Sequence, residues 1–124
     1  DIWKPLLEKV STFVELANGI AEVHPYAKMA WSVLSFIPKA LSDQNKRDEK
    51  IKALLLIIDD AYSFVNQAAP LEDWTDTINK YQRKILADIA KQTTDCAYFI
   101  RDYAKDQNFC EMVCLIGIAV YLYL

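Results

Sequence analysis

Apolar residues recur three and four positions apart along most of this chain, and that spacing commits it to amphipathic helices. Leu6, Val10, Phe13, Ala17 and Ile20 make the first stripe, which predicts a helix running to about Glu22 and fading at Asn18-Gly19. Pro5 is compatible with it, because the first turn needs no intrahelical amide partner. His24-Pro25 marks a break and Pro25 opens the second helix, whose stripe is Tyr26, Ala30, Val33, Ile37 and Leu41. Met29, Leu34 and Phe36 widen that stripe and predict burial on more than one side. Pro38 predicts a kink, since it removes a donor and crowds the preceding turn. The polar run from Ser42 to Lys50 reads as a short connection near Ser42–Asn45, with helix resuming at Lys46. Ile51, Leu54, Leu55, Ile58, Tyr62 and Val65 define a third helix, with Ile57 and Phe64 beside the stripe and Pro70 after its end. A fourth and longest stripe runs through Trp74, Ile78, Tyr81, Ile85, Ile89, Cys96, Ile100 and Tyr103, weakened in the middle by Gln92 and Thr93.

Two glycines and four prolines in 124 residues leave little material for the tight turns of an all-β fold. The expectation is an all-α, antiparallel four-helix bundle, up-down-up-down, with a kinked second helix. It divides into a bundle over 1–108 and an apolar C-terminal segment over 109–124. Within that segment, Met112 to Leu124 is thirteen apolar residues in a row. As a helix it would reach roughly 20 Å at ~1.5 Å per residue, against about 30 Å for a bilayer's hydrocarbon core. It is therefore expected to be a helix or tail packed on the bundle or lying at a membrane interface. The chain starts at Asp1, which reads as a piece of a longer protein.

Catalytic chemistry is sparse. His24 is the single histidine and its place at a helix start suits capping or packing. Cys110 and Cys114 share a helical face, yet no further metal ligands lie near them in sequence. Asp59 and Asp60 are adjacent and point about 100° apart on a helix, so they do not converge. No Gly-rich phosphate loop, Gly-x-Ser-x-Gly elbow or His-Glu-x-x-His is present. The expectation is no enzyme, no cofactor and no metal. A net charge of −3 gives no reason to expect nucleic acid, and three cysteines without framework spacing suit a reducing, cytoplasmic setting.

Two patterns point to a membrane. Lys80, Lys84 and Lys91 fall within about 40° on the fourth helix, with Arg83 one step around, and are the candidates for lipid headgroups. On the first helix, Ile2, Trp3, Leu6, Leu7, Val10 and Phe13 are interleaved with lysines and are candidates for insertion, as are Leu115, Ile116 and Ile118 in the tail. The alternative for the same apolar residues is ordinary bundle packing, with Lys80 to Lys91 balanced by Asp76 and Asp88. Trp31 and Trp74 read as core or near-core aromatics.

Three stretches carry a family resemblance: Gly19 to Ala27, Ala30 to Ser35, and Gln92 to Tyr103. In these the chain resembles the N-terminal helical domains of basidiomycete fungal STAND (NLR-like) proteins, which precede a NACHT nucleotide-binding module. Such domains are similar in turn to the N-terminal four-helix bundle of the MLKL necroptosis pseudokinase, to HeLo domains and to plant coiled-coil resistance domains. The resemblance covers about Leu6 to Asn108 and implies a cell-death effector of innate immunity. Such an effector self-associates, binds anionic lipids and damages the plasma membrane, with an NLR-type nucleotide-binding module as partner in a longer relative. The competing expectation is a protein–protein adaptor without membrane activity. The tail from Cys114 to Leu124 departs from the family pattern.

Overall fold

The computed structural model describes residues 1–68, Trp74 and 78–105. The segment over 109–124, with Leu115, Ile116, Ile118, Cys110 and Cys114, lies outside the described residues. All regular structure among the described residues is helical: α1 (Trp3–Leu16), α2 (His24–Ala40), α3 (Asp43–Lys46), α4 (Glu49–Ala68) and α5 (Lys80–Lys105).

α1 ends at Leu16, six residues before the expected Glu22. Gly19 adopts a φ of 100°, a left-handed value that costs glycine little. A series of turns follows, with Ile20 N–H donating to Ala17 O and Val23 N–H to Ile20 O, both at 2.9 Å. Those turns keep Ala17, Ile20 and Val23 buried under the helix ends. The stripe thus outlasts the helix.

In α2 the buried residues are Ala27, Ala30, Leu34 and Ile37. The true stripe is turned from the expected one: Tyr26 is exposed and Val33 only half-buried. Burial on a second side does not occur, since Met29 and Phe36 stay 56 % and 60 % exposed. Pro38 lies in the last turn, where its missing donor interrupts little, and Leu41 leaves in extended conformation.

The polar run holds two helix starts in series. Ser42 Oγ accepts from Asn45 N–H at 3.1 Å while Asn45 Oδ1 accepts from Ser42 N–H at 3.4 Å, a reciprocal box that starts α3. Asp48 Oδ1 then accepts from the amides of Lys50 (2.8 Å) and Ile51 (3.2 Å), so α4 begins at Glu49 instead of Lys46. In α4 every expected core position, Ile51, Leu54, Leu55, Ile58, Tyr62 and Val65, is buried.

The long fourth stripe is less continuous than its spacing implies. α5 starts at Lys80 behind a second reciprocal box, in which Asn79 Oδ1 accepts from Gln82 N–H (2.8 Å) and Gln82 Oε1 from Asn79 N–H (2.9 Å). Its buried residues are Leu86, Ala87, Ala90, Thr93, Thr94, Cys96, Ala97, Ile100 and Tyr103, whereas Tyr81 and Ile85 face outward.

α2 and α5 approach most closely over the greatest length, and α1 packs against both α4 and α2. Small side chains explain the first contact: Ala27 and Ala30 on α2, with Ala87, Ala90, Thr94 and Ala97 on α5, are all buried. At the centre the Phe13 ring meets Tyr62 edge-on at 5.2 Å and Trp74 at 5.8 Å. Each such side chain removed from water contributes about 1.5–3 kcal/mol. α4 and α5 are bridged by polar atoms. Thr93 Oγ1 donates to Ile89 O (2.8 Å), so the 2.9 Å bond between Tyr62 and Thr93 has the tyrosine as donor. Tyr103 Oη donates to Asp48 Oδ2 at 3.3 Å.

A candidate docking surface on the fifth helix

α5 carries 26 residues and buries one side of them, which leaves its first half presenting a broad outer face. Lys80 sets one edge of that face, and Lys84 and Lys91 lie within about 40° of it, a turn and three turns further on. All three are exposed. Tyr81 and Ile85 lie about 100° and 140° from Lys80 and are also exposed, Tyr81 by 72 %. The face therefore pairs a row of cations with a row of apolar side chains.

The cations are not equivalent. Lys80 and Lys84 are exposed to solvent. Lys91 Nζ rests 4.4 Å from the centre of the Tyr26 ring on α2, a cation–π contact that leaves the ammonium open to solvent. Arg83 is half-buried and turned toward Glu22, with 3.8 Å between Nη1 and Oε1. At that distance the pair is weak, and it is burial that sets Arg83 apart: Lys80, Lys84 and Lys91 are exposed together, whereas Arg83 is half-buried.

The first helix is placed differently from a free membrane anchor. Trp3, Leu6, Val10 and Phe13 are core residues, and Ile2 and Leu7 are half-buried against that core. The reason is geometric: the stripe that could enter a bilayer is the one that meets α2 and α4. In this folded state those four side chains are covered. Lys9, between them in sequence, is held at 2.8 Å by Asp59 and accepts Asn66 Nδ2–H on its carbonyl at 2.9 Å, which ties α1 to α4. Asp60 faces solvent, so the two carboxylates diverge as their spacing predicts.

Burial pushes the Cys96 thiol up to about 11, with the nearby Asp95 charge adding to the effect. Such a thiol carries little thiolate at neutral pH. Burial likewise pushes the Tyr62 hydroxyl up to about 12, partly offset by its bond to Thr93. His24 is half-buried at the first position of α2. Among the described residues no group of three or more His, Cys, Asp or Glu side chains is placed to hold a metal ion. None of the described helices is long and apolar enough to cross a membrane.

Several outward apolar residues escaped the reading of the sequence. Trp31 is 40 % exposed, and Phe64, beside the α4 stripe, is 74 % exposed. Spacing alone does not give Trp31 away, since it lies four residues after Ala27 and three before Leu34, whereas Phe64 sits beside the α4 stripe of Ile51, Leu54, Leu55, Ile58, Tyr62 and Val65. No family model, curated protein or solved structure matches the chain.

Proposed function

We propose that the chain is a non-enzymatic docking module of the cell-death type, an antiparallel four-helix bundle that brings an NLR-like protein to anionic membrane. The supporting geometry for the bundle is the order of contacts along the helices. Asp48 with Tyr103 and Tyr62 with Thr93 run in opposite chain directions, as antiparallel α4 and α5 require, while Glu22 with Arg83 and Tyr26 with Lys91 run in the same direction, as the second and fourth helices of an up-down-up-down order do. The short link from Leu16 to His24 suits an antiparallel α1 and α2. The functional reading is carried by one observation: exposed Lys80, Lys84 and Lys91 stand beside exposed Tyr81 and Ile85 on a single helix. Cations contact phosphate heads while the adjoining apolar row enters the headgroup boundary. Docking on α5 comes first, and only a later opening of the bundle, driven by self-association, frees Trp3, Leu6, Val10 and Phe13. This reading keeps the protein cytoplasmic until it is recruited to the plasma membrane.

The adaptor reading is favoured by a different observation: Met29 and Phe36 on α2 and Phe64 on α4 are outward and apolar. Vesicle co-sedimentation separates the two. Each lysine near an anionic surface contributes about 1 kcal/mol, so Lys80→Glu/Lys84→Glu, which removes two such contacts, weakens binding at least about 30-fold. Both side chains are solvent-facing, so the helical circular dichroism stays unchanged. Failure of the unmodified protein to sediment with anionic vesicles, or equal sedimentation of the double variant, defeats the membrane reading.

A further inference from the structure

Where α1 and α4 begin, a cleft of about 550 Å³ opens between them and α3. Its polar side is lined by Lys9, Lys46 and Lys52, contributed by α1, α3 and α4, together with Asp1 and Asp59. Its apolar side is formed by Ile2, Trp3, Pro5 and Leu56. This is the end of the molecule where α5 finishes, because Tyr103 in its last turns bonds to Asp48 just ahead of α4. It is remote from Lys80, and its case does not rest on the reading of α5.

The charges in the cleft are not all free to meet a ligand. Asp59 is neutralised by Lys9 at 2.8 Å. Asp1 Oδ1 accepts from the Trp3 amide at 3.1 Å. Lys52 has Glu49 as a partner 3.8 Å away, and both side chains are well exposed, so that pair is weak. Lys46 ends α3, the one-turn helix that the Ser42–Asn45 box fixes in place. Lys46 and Lys52, on two different elements, therefore border the cleft with little to hold them; Asp59 is paired with Lys9, and Asp1, held by one amide bond, keeps the one uncompensated carboxylate charge of the lining. Leu56, 53 % exposed, offers hydrocarbon beside them. The volume lies inside the range of about 300–1,000 Å³ usual for small-ligand sites.

We propose that this cleft binds a phosphate-headed amphiphile, with the phosphate between Lys46 and Lys52 and the hydrocarbon against Ile2, Pro5 and Leu56. A lone phosphate would use the cations and leave the apolar wall wet, and a neutral detergent would use the wall and leave the cations idle. The occupant that satisfies both has a head of at least one negative charge and a short chain.

The test is titration of the whole chain, by calorimetry and amide NMR, with monomeric dihexanoyl phosphatidic acid, inorganic phosphate and octyl glucoside in parallel. Dihexanoyl phosphatidic acid is expected to bind at least about tenfold tighter than either of the others, as head and chain both contribute. Lys46→Ala/Lys52→Ala should abolish that advantage, with the Lys9–Asp59 pair and the fold left alone. Leu56→Asp should weaken the amphiphile and spare phosphate, while Lys80→Glu/Lys84→Glu should leave the titration unchanged. Equal binding of octyl glucoside, or undiminished binding by the Lys46/Lys52 variant, overturns the proposal. So does binding of the same headgroup in bilayers alone, because a flat surface contact would then replace the cleft.

Discussion

The bond between Tyr62 and Thr93 joins α4 to α5 through the centre of the molecule, and its energetics can be worked through in a double-mutant cycle. Tyr62→Phe keeps the ring against Phe13, 5.2 Å away, and removes one buried neutral hydrogen bond. Thr93 retains its bond to Ile89 O, so the loss is about 1 kcal/mol. Thr93→Val keeps the shape of the side chain but strands the Tyr62 hydroxyl, which is fully buried, and an orphaned buried donor costs about 2 kcal/mol. In the double variant neither hydroxyl remains, the site becomes apolar throughout, and the loss falls back to about 1 kcal/mol. The two changes thus couple by about 2 kcal/mol. With an unfolding entropy of ~2.1 cal/mol/K per residue, a chain of 124 residues loses about 4 °C of Tm for each kcal/mol. Thermal melts followed at 222 nm should fall by about 4, 8 and 4 °C for the two single variants and the double. A double variant near the additive loss of about 12 °C would show that the hydroxyls act independently, and the reasoning would be refuted.

Two further perturbations follow from the same network. The folded-state value of Tyr62 is raised from 10.0 to about 12, so its contribution is whole below pH 10 and is lost as pH climbs to 12. That loss is on the order of 2–3 kcal/mol; urea midpoints across this window should drop steeply in the native chain and less in Tyr62→Phe, and parallel slopes would exclude Tyr62 as the cause. Asp48→Ala removes the acceptor for two α4 amides and for Tyr103 and should cost about 2 kcal/mol, while Asp48→Asn, an equally good cap, should recover more than half on the same melts.

How far the fold was legible depended on how strictly each stripe kept its period. The buried face of α4 was readable to the residue, though not its start, because Ile51, Leu54, Leu55, Ile58, Tyr62 and Val65 are all large and recur at helical spacing. α2 and α5 were misread where their contact is made of alanines, since Ala27, Ala87, Ala90 and Ala97 carry little hydrophobic signal beside Met29, Phe36, Tyr81 and Ile85; of the α2 alanines only Ala30 stood in the expected stripe. Two small faces that pack closely look, in sequence, like the outside. Thr93 interrupted the expected stripe for a related reason: its role comes from Tyr62, 31 positions away, and no local period reports a partner at that distance. The helix starts were legible and overlooked, for Ser42-x-x-Asn45 and Asn79-x-x-Gln82 both have the spacing of a reciprocal box. For the candidate surface, periodicity put Lys80, Lys84 and Lys91 on one side of a helix, where all three are exposed. It could not foresee that Arg83 is half-buried, nor that Lys9, Lys46 and Lys52 border one cleft.

The alanine seam between α2 and α5 also governs how this protein can change over generations. A methyl-lined joint has no slack: one added branch at Ala90 or Ala97 wedges two backbones apart, and overfilling of this kind costs roughly 1–3 kcal/mol. The ridge that carries Lys80, Tyr81, Lys84 and Ile85 is exposed and has room for larger side chains. Packing therefore narrows the choice of residue along the hidden seam, whereas on the outer ridge of the same helix only what it meets can narrow it.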